Sequence, residues 1–324
     1  MSVVRTLVVW AFVLGSAVVA GQTRPVSGGA SSTGVVAEPV IRLAVNMTTV
    51  ESDPVFLAAE TSKSLLLSSG GIAQLVDGSA DAATNSETQA LLRSVAAPSL
   101  RIILTVAECY YRLVARRSAG IQGLTDLRGK KIGTPANTSA QYYLARMLAR
   151  VKLSETDVTV VPMAVNQMAE AMKKRDVDAV SGWEPGAADS ITALGNDVVV
   201  FQERSVYREL FNLNTTTEVL NDPAKRRALV DVVRAVLRAS GQVRSRPADG
   251  WPLLSSKIGV PVPTISTVWR HFRFAGGLPP DIMDVLTEEE QWVAAAQRRQ
   301  PRNRPALQSL VDASVLREAS ARSR

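Results

Sequence analysis

Val177-Asp178-Ala179-Val180-Ser181-Gly182-Trp183-Glu184-Pro185 is the stretch from which the fold can be read. Its first residues alternate like a buried strand, Gly182 breaks the run, and a large aromatic and a carboxylate follow before Pro185 fixes the outgoing chain. In an open α/β sheet, residues just beyond the carboxyl end of a strand face the ligand crevice, so Trp183 and Glu184 are candidate pocket residues. A second unit of the same build, Gly78-Ser79-Ala80-Asp81-Ala82-Ala83-Thr84-Asn85, lies earlier in the chain. Each unit follows a short helical pattern, carries Asp at the same place in a small apolar strand, and ends in polar residues. Two such units predict two similar lobes whose strand ends face one another, with Asn85 and Trp183 looking into the same void. Asp81 and Asp178 are expected to bond backbone groups at turns.

The bulk composition is compatible with that architecture. A chain of 324 residues, 46% hydrophobic and 21% charged, can bury the cores of two α/β lobes. The formal net charge of +7 raises a nucleic-acid reading. The excess, however, crowds the end of the chain, at Arg298, Arg299, Arg302, Arg304, Arg317, Arg322 and Arg324. Aromatic residues, 5% of the chain, do not interleave with it as a base-stacking platform would need. A solvated basic surface and no nucleic-acid partner are expected. The single Cys109 excludes an internal disulfide and a multi-cysteine metal site. The single His271, between Arg270 and Phe272 in a helical pattern, reads as an ordinary helix residue. No nucleotide-binding glycine pattern, phosphate loop or Gly-x-Ser-x-Gly elbow occurs, so neither cofactor, metal nor catalysis is expected.

Arg5, the apolar run Leu7–Leu14 and the small residues up to Ala20 have the three parts of a secretory signal peptide, residues 1–20. The competing reading is an uncleaved anchor, for which the run is marginally long. The Gly-, Ser- and Thr-rich residues 21–39 read as a flexible linker. Val40–Val45 alternates as a first strand, and Asp53-Pro54 opens a helix with Asp as its cap, a place where free N–H groups suit an anionic ligand group. Leu65–Leu67 is a second strand and Arg101–Ala107 a β-rich run. Ser118-Ala119-Gly120 marks the first crossing between lobes and Glu209–Asn214 the return. The expected lobes are therefore 40–118 plus 215–324, and 119–214. Within the second, Thr138 or Ser139 caps an amphipathic helix from Tyr142 to Val151, and Val158–Val161 is another strand. From Pro223 onward the pattern is helical through Leu229, Val232, Val233, Val236 and Leu237.

Thr125-Asp126-Leu127-Arg128-Gly129-Lys130-Lys131-Ile132-Gly133 resembles the lobe-crossing signature of periplasmic solute-binding proteins of ABC transporters, in the nitrate, sulfonate and taurine group that includes pyrimidine-precursor binders. Gly78–Ala83 is similar to that family's Gly-x-x-Asp strand, Trp183-Glu184-Pro185 to its pocket loop, and Leu310–Leu316 to its closing helix. The resemblance runs from Val40 to Leu316. One departure is a brief segment after Glu60, without the family's charged, glycine-punctuated link into the second strand.

The resemblance implies a two-lobe α/β fold of the periplasmic-binding-protein type (type II) with two crossings. The lobes would close on a small-molecule ligand delivered to an ABC permease, the chain acting as a monomer in the periplasm. Closure requires that the ligand touch both lobes, so each must offer polar groups at its strand ends. The candidates are Thr48, Thr49, Asn85 and Glu108 from lobe one, and Thr138, Ser139, Trp183 and Glu184 from lobe two. Each has a plainer role open to it: Trp183 as core, Glu184 and Glu108 as surface carboxylates, Thr138 and Ser139 as helix caps. If Glu108 and Glu184 both face the cleft, they call for a cationic or donor-rich partner, such as an aminosulfonate or aminopyrimidine. The function expected is uptake of a sulfonate, taurine-like compound or pyrimidine. The alternatives are a ligand sensor for a membrane partner and a pyrimidine-precursor enzyme of the same fold.

Overall fold

The computed structural model describes residues 39–321. The expected signal peptide and nearly all of the expected linker lie outside the described residues. Within them, no helix is long and apolar enough to cross a membrane.

The chain is a mixed α/β structure with two sheets. The first contains β1 (Ile41–Val45), β2 (Leu65–Ser69), β3 (Ala82–Ser86) and β4 (Leu100–Cys109). The second contains β5 (Arg112–Arg116), β6 (Lys131–Thr134), β7 (Thr159–Pro162), β8 (Ala179–Gly182) and β9 (Val198–Phe201). β10 (Glu209–Thr216) and β11 (Phe272–Arg273) return to the first. The strand orders are β11-β4-β10-β3-β1-β2 and β7-β6-β8-β5-β9. β1 pairs in parallel with β2 and β3, while β10 runs antiparallel to β3 and β4. In the second sheet β6 is parallel to β7 and β8, and β5 antiparallel to β8 and β9. The carboxyl ends of β1–β4 and the start of β10 thus share one edge, as do the carboxyl ends of β6, β8 and β9 and the start of β5.

There are two crossings, as expected, but both lie earlier than the turn signals suggested. The first is Tyr110-Tyr111, between β4 and β5, and not Ser118-Ala119-Gly120, which is a tight turn ending β5 with Gly120 at φ 76°. The second is residues 202–208. Glu209–Asn214, expected to be the return crossing, is most of β10, hydrogen-bonded on both sides inside the first sheet. The first crossing is two residues long and carries no turn signal of its own, while the second contains a turn at residues 204–206; buried Tyr111 and Tyr207 anchor them.

The paired Asp units do the same job in both sheets. Asp81 accepts from the backbone N–H of Arg42 (3.0 Å) and pairs with the Arg42 guanidinium (2.9 Å). Asp178 accepts from Lys131 N–H (3.0 Å) and pairs with Arg116 (2.8 Å). Each ties the loop before its own strand to the start of the neighbouring parallel strand, which sets the register and so the height of the strand ends above.

Six helices bear on the site and its support: α1 (Asp53–Thr61), α2 (Glu87–Arg93), α3 (Ser139–Ala149), α4 (Gly186–Leu194), α5 (Pro223–Ser245) and α6 (Ile282–Ala296). α5 starts where the sequence predicts, with Asp222 accepting from Ala224 and Lys225 N–H and Pro223 in the first turn. Its Leu229, Val232, Val233 and Val236 are fully buried, each worth roughly 1.5–3 kcal/mol of transfer free energy. α1 differs from expectation: Ser52 stands at its cap position and Asp53 is its first helical residue, with neither carboxylate oxygen hydrogen-bonded. One apolar core runs through both sheets, joining Leu43 and Leu104 of the first to Leu113 and Ile132 of the second.

Candidate functional site

A cavity of about 820 Å³ lies where the strand ends of the two sheets meet. Of the candidates from the first sheet, Thr49 and Asn85 line it; of those from the second, Thr138, Ser139 and Trp183 do. Asn85 is the penultimate residue of β3 and Trp183 follows β8, so the two residues opening the cleft from either side belong to the paired units. Trp183 stays at the wall because the chain before it is packed without space: a Cβ on Gly182 would approach Met168 Cε to 2.9 Å. Its ring stands 6.2 Å from that of Tyr111, part of a cluster with Tyr143 and Tyr207 at the crossings. Thr138 caps α3, its Oγ1 accepting from Ala140 N–H (3.3 Å) and donating to Pro135 O (2.7 Å), and Ser139 Oγ meets the Tyr111 hydroxyl at 2.9 Å.

Three candidates are not on that wall. Thr48 is exposed and turns back on Asn46, its N–H and hydroxyl both donating to Asn46 Oδ1 (3.0 and 2.8 Å); Asn46 lines the cavity in its place. Glu108 faces a different cavity, about 740 Å³, near Arg208 (3.5 Å) and Arg273 (3.8 Å). The pleat explains this: Cys109, its neighbour in β4, points to the opposite face. Glu184 is buried behind Trp183, held by Arg112 Nε (2.6 Å) and the Ala188 N–H of α4 (3.1 Å). Burial pushes its carboxyl up while the Arg112 charge pulls it down. It fastens α4 to β5 and, unlike Trp183, does not line the cavity.

The carboxylates that do reach the cavity are Glu51 and Glu209. Glu51 sits in the turn Val50–Ser52 between β1 and α1, and Glu209 opens β10. Only 2% and 5% of their surface is exposed. One oxygen of each, with Cys109 Sγ, forms a group whose atoms all lie within 4.8 Å of one another. Burial pushes Glu51 up to about 7, and burial together with the Glu51 charge pushes Glu209 well above the usual carboxylate range. Burial, then the Glu51 and Glu209 charges, likewise raise the Cys109 thiol. Behind them Glu87 accepts from the Tyr207 hydroxyl (2.6 Å) and Leu210 N–H (2.8 Å), and is also pushed up to about 7 by burial. The start of α1, expected to suit an anion, therefore carries acid of its own at Glu51 and Asp53.

Sequence reasoning missed this pair because Glu51 lies in a stretch read only as the approach to a helix cap, and Glu209 in one read as a crossing. A signal existed for the second: Glu209-Leu210-Phe211 sets a carboxylate at the head of an apolar alternation. Contacts also join elements that belong to the two sheets, the first of them between residues lining the cavity. Gln89 of α2 donates to Asn137 O (2.8 Å), Trp292 of α6 donates to Glu155 (3.0 Å), and Arg146 of α3 pairs with Glu288 of α6.

Residues 68–249 match the family model described as NMT1/THI5 like. The chain belongs to this NMT1/THI5-like family. Its fold is that of periplasmic solute-binding proteins. The aliphatic sulphonate binding protein SsuA of Escherichia coli superposes with a TM-score of 0.71 at 16% identity, over 82% of this chain and 91% of that one. The desulfurization enzyme DSZB shares the fold too, with a TM-score of 0.60 at 15% identity, over 87% of this chain and 98% of its own. A protein of Brucella abortus described as a binding protein is 32% identical over 74 residues, 23% of each chain. The match thus spans about a quarter of that relative's length. One fold serves a binder and an enzyme, so function has to be argued from the site.

Proposed function

We propose that this protein is the extracytoplasmic solute-binding component of an ABC uptake system, exported by its N-terminal leader, whose two lobes, one on each sheet, close over a small organic solute. The observation that carries this reading is a single cavity lined from both sheets, with Asn85 on one side and Trp183 on the other. A solute held there gains contacts in the closed state that it lacks in the open one, and that difference alone can drive closure. Thr49 and Asn85 supply polar groups from one lobe, Thr138 and Ser139 from the other, and Trp183 supplies area. A thiolate nucleophile is disfavoured at Cys109, whose buried thiol is raised by burial and then by the adjacent carboxylates.

A thermal-shift screen against sulfonates, nitrate, taurine and pyrimidines tests the reading, since a solute bound only by the native state raises the melting temperature. The bound compound should be recovered unchanged after denaturation. Turnover of it would point to an enzyme instead.

A further inference from the structure

We propose that the cleft selects a solute carrying a positively charged nitrogen, an ammonium or amidinium group, seated between Glu51 and Glu209. This deepens the solute-binding reading and rests on it.

The two carboxylates are almost wholly buried, face the same cavity, and each has an oxygen, Oε2, without a hydrogen-bond partner among the described residues. Two other buried acids are matched with arginine: Glu184 has Arg112, and Glu290 has Arg299 (2.5 Å) and Arg302 (2.9 Å). Asp53, Glu87 and Glu289 are buried without an arginine but do not line this cavity; Glu51 and Glu209 are the buried acids that do. Of the described residues lining the cavity only Arg93 is cationic, and it is exposed. An unmatched buried acceptor is destabilising, more so when charged, and two adjacent carboxylates add their mutual repulsion. A ligand nitrogen with two or more N–H donors would remove both costs at once by bridging the pair. A bare anion would increase them.

A metal ion is the rival occupant, with Cys109 as third donor. Two observations favour the organic cation. Cys109 is fully buried and is not part of the cavity wall, and a cavity of about 820 Å³ is far larger than an ion needs. Trp183 and Phe211, which also line it, offer an organic cation aromatic faces that add to the ion pairing.

The test uses compound pairs that differ in the charged nitrogen: taurine against isethionate, benzamidine against benzamide, putrescine against 1,4-butanediol, with zinc chloride alone as a further probe. Melting temperature and titration calorimetry are read on the full-length protein without its leader at pH 7.5. At least one cationic member should raise the melting temperature while its partner does not. Glu51→Gln and Glu209→Gln should each weaken its binding about tenfold or more. Should the Gln variants fail to fold, discrimination within a pair by the wild-type protein decides alone. Stabilisation by isethionate or nitrate with every cationic member silent overturns the cation site and leaves solute binding standing. Stabilisation by zinc alone, lost in Cys109→Ser, overturns it in favour of a metal. Cation binding unchanged in both Gln variants overturns it too, and silence from every compound overturns this proposal and the uptake reading together.

Discussion

Two sets of carboxylates stand near the cleft, and the fold treats them differently. On the second-sheet side Glu184 is sealed behind Trp183 with Arg112 and a helix N–H for partners. On the first-sheet side Glu51 and Glu209 lie at the open cavity with no arginine partner among the described residues. All three are buried to a similar degree. What separates them is compensation. A buried acid whose partner is built in belongs to the structure; one left to face a void is free to take its partner from solution.

The sharpest way to break that contrast is to remove the built-in partner. Arg112→Met keeps the volume and strands Glu184, and should cost roughly 3–5 kcal/mol of stability, the usual cost of an orphaned buried charge; urea unfolding at pH 7.5 measures it. Removing a charge from the other set should go the opposite way. Glu51→Gln should leave the unliganded protein as stable as wild type or more stable, by about 1 kcal/mol, in the same assay. An equal loss in both variants would erase the distinction.

The pH dependence gives a finer test. Glu51 is raised to about 7, so the folded state keeps a proton that the unfolded chain gives up near the ordinary carboxylate value of 4.5. Stability contributed this way is present below about 4.5 and lost as pH rises to about 7. Asp53 and Glu87, both raised to about 7, act in the same sense. His271, lowered to about 4 by burial first and then by neighbouring arginines, acts in the opposite sense between about 4 and 6.5. Around Glu51 stand Thr49, Cys109, Glu184 and Glu209, which offer no nearby cation to cancel its effect. The unfolding midpoint should therefore fall from pH 5 to pH 7.5, and fall less in Glu51→Gln. The smallest effect on stability belongs to Trp183→Ala. A wall aromatic that is only half-buried should lose under about 1 kcal/mol of fold stability but 1–3 kcal/mol of ligand affinity, read by calorimetry with whichever compound the screen identifies.

Much of the architecture was legible in the sequence because it is carried by local rules. Alternation gave β1 and β8, the helical spacing from Pro223 onward gave α5, and the repeated Asp unit gave β3 and announced two sheets with facing strand ends. Asn85, Thr138 and Trp183 were within reach for the same reason, since strand ends and helix caps carry their own residue types. What stayed hidden depends on three-dimensional environment. Whether Glu108 or Cys109 points at the cleft is a matter of one pleat position, and whether Glu184 is free depends on Arg112, far away along the chain. Glu51 and Glu209 sit in different elements with no spacing to link them. Only the fold brings them together.

The Gln89–Asn137, Trp292–Glu155 and Arg146–Glu288 contacts form a clasp between elements of the two sheets. Its one ion pair is solvent-facing, with 32% and 58% of the side chains exposed, so dissolved electrolyte should weaken it readily. Ionic strength then becomes a handle on how fast the jaws part, independent of how firmly the interior grips. On the solute-binding reading proposed above, bound solute should therefore escape sooner in concentrated salt, which release kinetics at low and high ionic strength would measure.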